Sequence, residues 1–100
     1  MADLIVTFGR KDEEGALELA GGARSEAVVI DGTKRTSTLT AGGGDSVLTL
    51  FAEADCWVSV AVTADGPDAE NANKRRFLAA DAMRRFGCKS GDVVSVIAKV

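Results

Sequence analysis

Carboxylates are the only side chains in this sequence numerous enough to do acid–base or metal chemistry: there are 15 Asp and Glu, two Cys, and neither His nor Tyr. The missing histidine removes the commonest general base and metal ligand. With it go the Ser/His/Asp and Cys/His nucleophile systems. Three acids adjoin at Asp12, Glu13 and Glu14. Hard cations want convergent oxygen ligands, and neighbouring carboxylates on a loop do not converge, so the expectation is a solvated loop tip. Asp65, Asp68 and Glu70 around Gly66 look like a loose calcium loop, but their spacing is not that of an EF-hand, and a turn with a cap is expected instead. Gly42-Gly43-Gly44 lacks the Gly-Lys-Ser/Thr ending that aims backbone N–H groups at phosphate, and reads as a loop. Cys56 and Cys88 have no metal-type spacing and read as buried free thiols, with a disulfide between them as the alternative. Lys74-Arg75-Arg76 has only Phe77 nearby as an aromatic. It reads as a solvated face, with an acidic protein partner as the functional alternative. Trp57, the single tryptophan, is expected in the core or at a subunit interface rather than as a sugar platform.

No cofactor, no metal and no enzymatic activity are therefore expected. The rival is a small carboxylate enzyme of glycosidase type, for which no pair of acids falls at recognisable facing strand positions. Net charge is −3 and the pI is about 4.8, without the basic excess that phosphate neutralisation asks of a nucleic-acid domain. The longest apolar run is far too short to span a bilayer. Met1-Ala2-Asp3-Leu4 lacks the basic and apolar regions of a signal peptide. The expectation is a soluble protein made in the cytoplasm, with neither nucleic acid nor membrane as partner.

The elements that must carry these residues are strands. Gly, Asp and Ser punctuate the chain every eight to twelve residues, with Val-, Thr- and Ile-rich runs between them, which is an all-β pattern. A single domain over residues 1–100 is expected. Strands are expected at Asp3–Phe8, around Leu17 to Leu19, at Ala27–Ile30, Val47–Ala52, Cys56–Thr63 and Asp92–Lys99. Asp31-Gly32 predicts a two-residue hairpin turn whose second arm runs through Thr36, Thr38 and Thr40. Residues 67–86 carry helix signals instead: Pro67, Asp68 and Glu70 at a start, Arg84 and Arg85 at an end, Gly87 beyond, and alanines between. Several strands are apolar on both faces: Cys56, Val58 and Val60 against Trp57, Ser59 and Ala61, and Val94 and Val96 against Val93 and Ile97. A two-layer sandwich buries one face of each sheet. The surplus face predicts a cover, either a helix or a neighbouring subunit.

The last two-thirds of the chain resembles small virion-associated β-sandwich proteins of tailed bacteriophages, many of them jelly rolls that act as capsid decoration (cement) or head-fibre components. The resemblance rests on Asp55-Cys56-Trp57-Val58-Ser59-Val60, on Phe77-Leu78-Ala79-Ala80-Asp81 where the family has Phe-Leu-Pro-Ala-Gly, on Phe86, and on Gly91-Asp92-Val93-Val94-Ser95-Val96-Ile97. Asp31-Gly32-Thr33 with Thr36-Ser37-Thr38 is similar to an upstream hairpin of such proteins. Its motifs are strand and turn patterns without catalytic groups. The chain departs from them at Ala79 and Asp81.

The resemblance implies an antiparallel, jelly-roll-like β-sandwich of about eight strands, in which residues 74–78 and 83–87 are strands joined by a tight turn. It implies a homotrimer that binds the major capsid protein on the outer surface of the virion. Trp57, Val93, Ile97 and Leu4 are the expected subunit or capsid contacts, with Met1 to Leu4 as an arm reaching the shell. A head-fibre or tail-spike module holding host glycans is the alternative.

Overall fold

The computed structural model describes residues 2–10, 23–62 and 66–99. They form eight strands: β1 (Asp3–Gly9), β2 (Arg24–Val29), β3 (Arg35–Thr36), β4 (Val47–Ala52), β5 (Cys56–Val62), β6 (Arg76–Leu78), β7 (Met83–Gly87) and β8 (Asp92–Ala98). No helix occurs among the described residues. Two antiparallel four-stranded sheets result, in the orders β2-β1-β4-β7 and β3-β8-β5-β6. The chain is a small all-β sandwich, as the spacing of its apolar runs and turn residues predicts. The expected strand around Leu17 to Leu19 and the acidic tip at Asp12, Glu13 and Glu14 lie outside the described residues, as does Asp65.

The pairing is nested. β5 pairs with β6, β4 with β7 and β3 with β8, and successive pairs alternate between the sheets. This is the two-sheet plan of a jelly roll. β2 opens the next shell of the ribbon, and its partner is β1. The first strand of the chain thus stands where a strand after β8 would complete the series.

Side chains alternate across a strand, so each register decides which set is buried. Leu4, Val6 and Phe8 of β1 lie opposite Ala52, Leu50 and Leu48 of β4, and all six are fully buried. Cys56 and Val58 of β5 meet them from the other sheet with Val94 and Val96 of β8. Each large apolar side chain so buried contributes about 1.5–3 kcal/mol.

The surplus apolar face finds its cover inside the chain. Val93 and Ser95 lie on the outer face of β8, yet they are 4% and 0% exposed. The segment between β5 and β6 reaches that face: Pro67 and Ala69 are buried, and Ala69 N–H donates to Ser95 Oγ at 3.2 Å. This segment is not the helix that its alanines suggest. The Asp68 carboxylate accepts Glu70 N–H at 3.0 Å and the Asn71 side chain accepts Asn73 N–H at 2.9 Å. Backbone turns close Asn71 on Asp68 and Lys74 on Asn71. Two successive Asx turns take the donors that a helix would have used.

Residues 76–78 and 83–87 are strands, as the resemblance implies, but they form no hairpin, because β6 and β7 belong to different sheets. The turn between them carries Asp81 at φ 62, a left-handed conformation that Asp tolerates better than most residues. Its backbone is pinned by Asp81 N–H to Ala52 C=O at 2.7 Å and by Ala80 N–H to the Asp55 carboxylate at 2.8 Å.

The Asp31-Gly32 hairpin does not form. β2 pairs with β1, β3 pairs with β8, and the dipeptide carries the chain from one sheet to the other. Neither Asp31 nor Gly32 has a positive φ. The Asp31 carboxylate instead accepts Thr33 N–H at 3.0 Å and clasps Arg35 at 2.7 Å. The second arm stops at Thr36; beyond it the Ser37 hydroxyl accepts Val94 N–H at 3.1 Å and so stands in for a ladder partner. The turn before β8 needs its glycine: Gly91 has φ +92, and a Cβ there would meet Val62 Cγ1 at 3.3 Å.

Candidate functional site

A two-sheet sandwich has two open edges, and this one treats them differently. At the β2/β3 edge, Glu26 sits opposite the core residue Val6. Its carboxylate accepts Leu39 N–H at 2.9 Å, Thr38 Oγ–H at 2.7 Å and Thr38 N–H at 3.3 Å. Burial pushes this carboxyl up, but the three hydrogen bonds outweigh it and hold its pKa below the ordinary value. This edge is laced shut by one acid.

The β6/β7 edge carries cations instead. Arg76 lies opposite Val58 and Arg84 opposite Leu50, so both take inner-face positions on edge strands. They line one cleft with Arg75, Phe77, Val58, Leu78 and Phe86, and no acid is among its walls. An adjoining cleft continues past Val60 and Phe86 to Lys74 and Asp92. Residues 74–87 hold five of the chain's 12 cations and one of its 15 acids, Asp81. The arrangement can hold an anionic group over an apolar floor. The sequence shows Lys74-Arg75-Arg76 and Arg84-Arg85 only as two short basic runs. Their meeting at one edge depends on β6 and β7 entering different sheets, which no local signal announces.

Trp57 lies on the outer face of the second sheet, in register with Phe77 on one side and Ile97 on the other. Phe77 meets it edge-on at 5.8 Å, and the Arg75 guanidinium lies 4.0 Å from the centre of its ring. Trp57 and Ile97 keep partial exposure. Leu4 is fully buried in the core, and Val93 is 4% exposed on the outer face of its sheet. Neither presents a surface to a partner, and an arm from Met1 to Leu4 is ruled out from Asp3 onward, because Asp3 opens β1.

The outer face of the first sheet shows a different surface. The registers place Ala27, Ile5, Phe51 and Met83 in one row across all four strands. Met83 is 62% exposed, Ala27 is exposed, and Ile5 and Phe51 are half-buried. In the neighbouring row, Thr49 Oγ1 is buried without a hydrogen-bond partner.

The glycine loop supplies its own anion. The Asp45 carboxylate accepts Gly42 N–H at 2.7 Å and pairs with Arg24, so the place a phosphate would take is filled. Cys56 and Cys88 are free. Burial, with Asp55 nearby, raises the Cys56 thiol to about 11, and burial raises Cys88 as well. No cluster of three or more metal-ligating side chains occurs among the described residues, and no helix there is long and apolar enough to cross a membrane. No protein-family model, curated protein or solved structure matches the chain.

Proposed function

We propose that this protein is a structural virion component of the capsid-decoration type: a homotrimer that sits on the outer shell, contacts the major capsid protein and stabilises capsomer contacts. The observation that carries the reading is the apolar row of Ala27, Ile5, Phe51 and Met83 on the outer face of the first sheet. An apolar strip crossing four strands fits a protein–protein contact. The resemblance of its strands and turns to phage decoration proteins supplies the rest. The glycan-binding alternative draws less support, since Arg75 already stacks on the one tryptophan.

Two measurements test it. Light scattering after gel filtration is expected to give the mass of a trimer, falling to that of a monomer for Met83→Glu. A monomer at all concentrations removes the self-association. Mass spectrometry of purified virions of the phage that encodes the chain is expected to find it in stoichiometric amount, released before the shell opens. Its absence from those virions overturns the decoration reading.

A further inference from the structure

A strand at the edge of a sheet leaves a row of backbone N–H and C=O groups unpaired. β7 pairs with β4 and β6 with β5, so both leave their far edges open on the same side of the sandwich. Between them, Arg76 and Arg84 line the cleft described above, and no acid among its walls answers them. Arg84 donates to its neighbour's carbonyl, Met83 C=O, at 3.3 Å. The Arg76 guanidinium has no hydrogen bond or ion pair with another described residue. At the opposite edge Glu26 fills the equivalent gap with a carboxylate of the chain's own. The missing counter-charge at β6/β7 is what a ligand would bring.

We propose that this cleft docks an extended acidic segment of a partner protein, which adds to β7 as a further strand. Strand addition draws its affinity from the backbone and its specificity from alternate side chains. Along β7, Arg84 and Phe86 face the cleft while Met83 and Arg85 face outward. A strand laid beside Met83, Arg84 and Phe86 is therefore selected as apolar beside Met83, acidic beside Arg84 and apolar beside Phe86. Two adjacent acids in such a strand let either chain direction set one of them beside Arg84. Phe86, Val58 and Leu78 receive the inward apolar residue, and Arg76 reaches the inward acid from the other wall. A second copy of this chain fits poorly, because β7 against β7 sets Arg84 and Arg85 beside one another or beside themselves, and like charges directly opposite repel.

The probe is a fluorescent acetyl-Thr-Val-Glu-Glu-Val-Thr-amide peptide, titrated with the intact protein and read by anisotropy. Controls are the same peptide with Lys in place of Glu, the same peptide with N-methylated backbone, and a single-stranded oligonucleotide. The acidic peptide is expected to bind, more weakly as salt rises. Arg84→Ala and Arg76→Ala are each expected to weaken it by about tenfold, the usual scale for losing a charge-assisted hydrogen bond. The lysine and N-methylated peptides are expected not to bind. Thermal unfolding of both variants establishes that they are folded. Four results each overturn the proposal: no binding of the acidic peptide, which leaves the arginines as protection of an open edge only; equal binding by both variants; equal binding of the N-methylated peptide; or binding of the oligonucleotide alone.

Discussion

Replacing Ser95 by Ala tests whether the chain truly covers its own outer face. Ser95 and Ala69 are both fully buried, and the link between the 66–74 segment and β8 is the 3.2 Å bond from Ala69 N–H to Ser95 Oγ. Ser95→Ala leaves that backbone donor buried without an acceptor, which costs about 1–3 kcal/mol. The volume lost is only one oxygen, so the cavity contribution is small. For a domain of this size, 1 kcal/mol moves Tm by about 4–8 °C, and Tm is expected to fall by about 4–24 °C. In urea the midpoint is expected to drop with the slope unchanged, since the same surface is exposed on unfolding. Hydrogen exchange localises the effect: the Ala69 amide is expected to lose protection while the amides of β1 and β4 change only by the global loss. A Tm within about 2 °C of the parent, with Ala69 still protected, would refute the reasoning, because the bond would then not be what holds the segment on the sheet.

Acid is expected to open the β2/β3 edge. The folded pKa of Glu26 is depressed by its three hydrogen bonds, those of Asp31 by Arg35 and of Asp68 by the Glu70 N–H. Depressed carboxylates contribute stability that is fully present above their unfolded values, near 4, and lost as pH falls through the folded ones. Thermal melts from pH 7 to pH 2 check the trend, and Glu26→Gln is expected to flatten it. The thiols are expected to be inert in the folded state: Cys56 is fully buried with its pKa pushed up to about 11 and Cys88 is raised in the same direction. Alkylation near pH 8 is expected to modify them fully only after denaturation.

Strands β1, β4, β5 and β8 were legible in the sequence because each is a dense apolar run, rich in Val, Leu or Ile, with Gly, Asp or Ser close by. Local signals misled where the deciding contact was distant. Asp31-Gly32 carries hairpin chemistry, yet Ala98 N–H bonds Asp31 C=O at 2.8 Å and draws the chain into the other sheet. The alanines of 69–82 favour a helix, but Asx turns at Asp68 and Asn71 consume its first donors, and β4 and β5 recruit the rest as edge strands. Both-face apolarity announced a cover, but as a helix or a neighbouring subunit, and over Ser95 it is neither. The cover proved to be a loop of small buried residues, Pro67 and Ala69, and small residues in a loop leave no periodic trace. Of the expected contact residues, Leu4 and Val93 are apolar enough for an interface, but both are buried within the chain itself. The cationic cleft escaped notice because its two halves are separate in sequence and join only through topology.

The position of β1 has a consequence for how the molecule is made. Ala2 C=O accepts Ile30 N–H at 3.0 Å, and Ala98 N–H donates to Asp31 C=O at 2.8 Å, so the first and last strands are tied to adjacent residues. Reconnected there and cut between Gly9 and Arg24, the same eight strands would run as one uninterrupted ribbon. The two arrangements share the strand pairings of the described residues and differ in the order in which those strands are synthesised. In the present order β1, β2 and β4 are all synthesised by Ala52, and among the described residues three of the four strands of one sheet precede every strand of its partner except β3. Pairing β1 with β2 closes a shorter stretch of chain in the present order than in the rotated one, and shorter closures are the faster ones. In the rotated order β1 would arrive last and have to insert between β2 and β4.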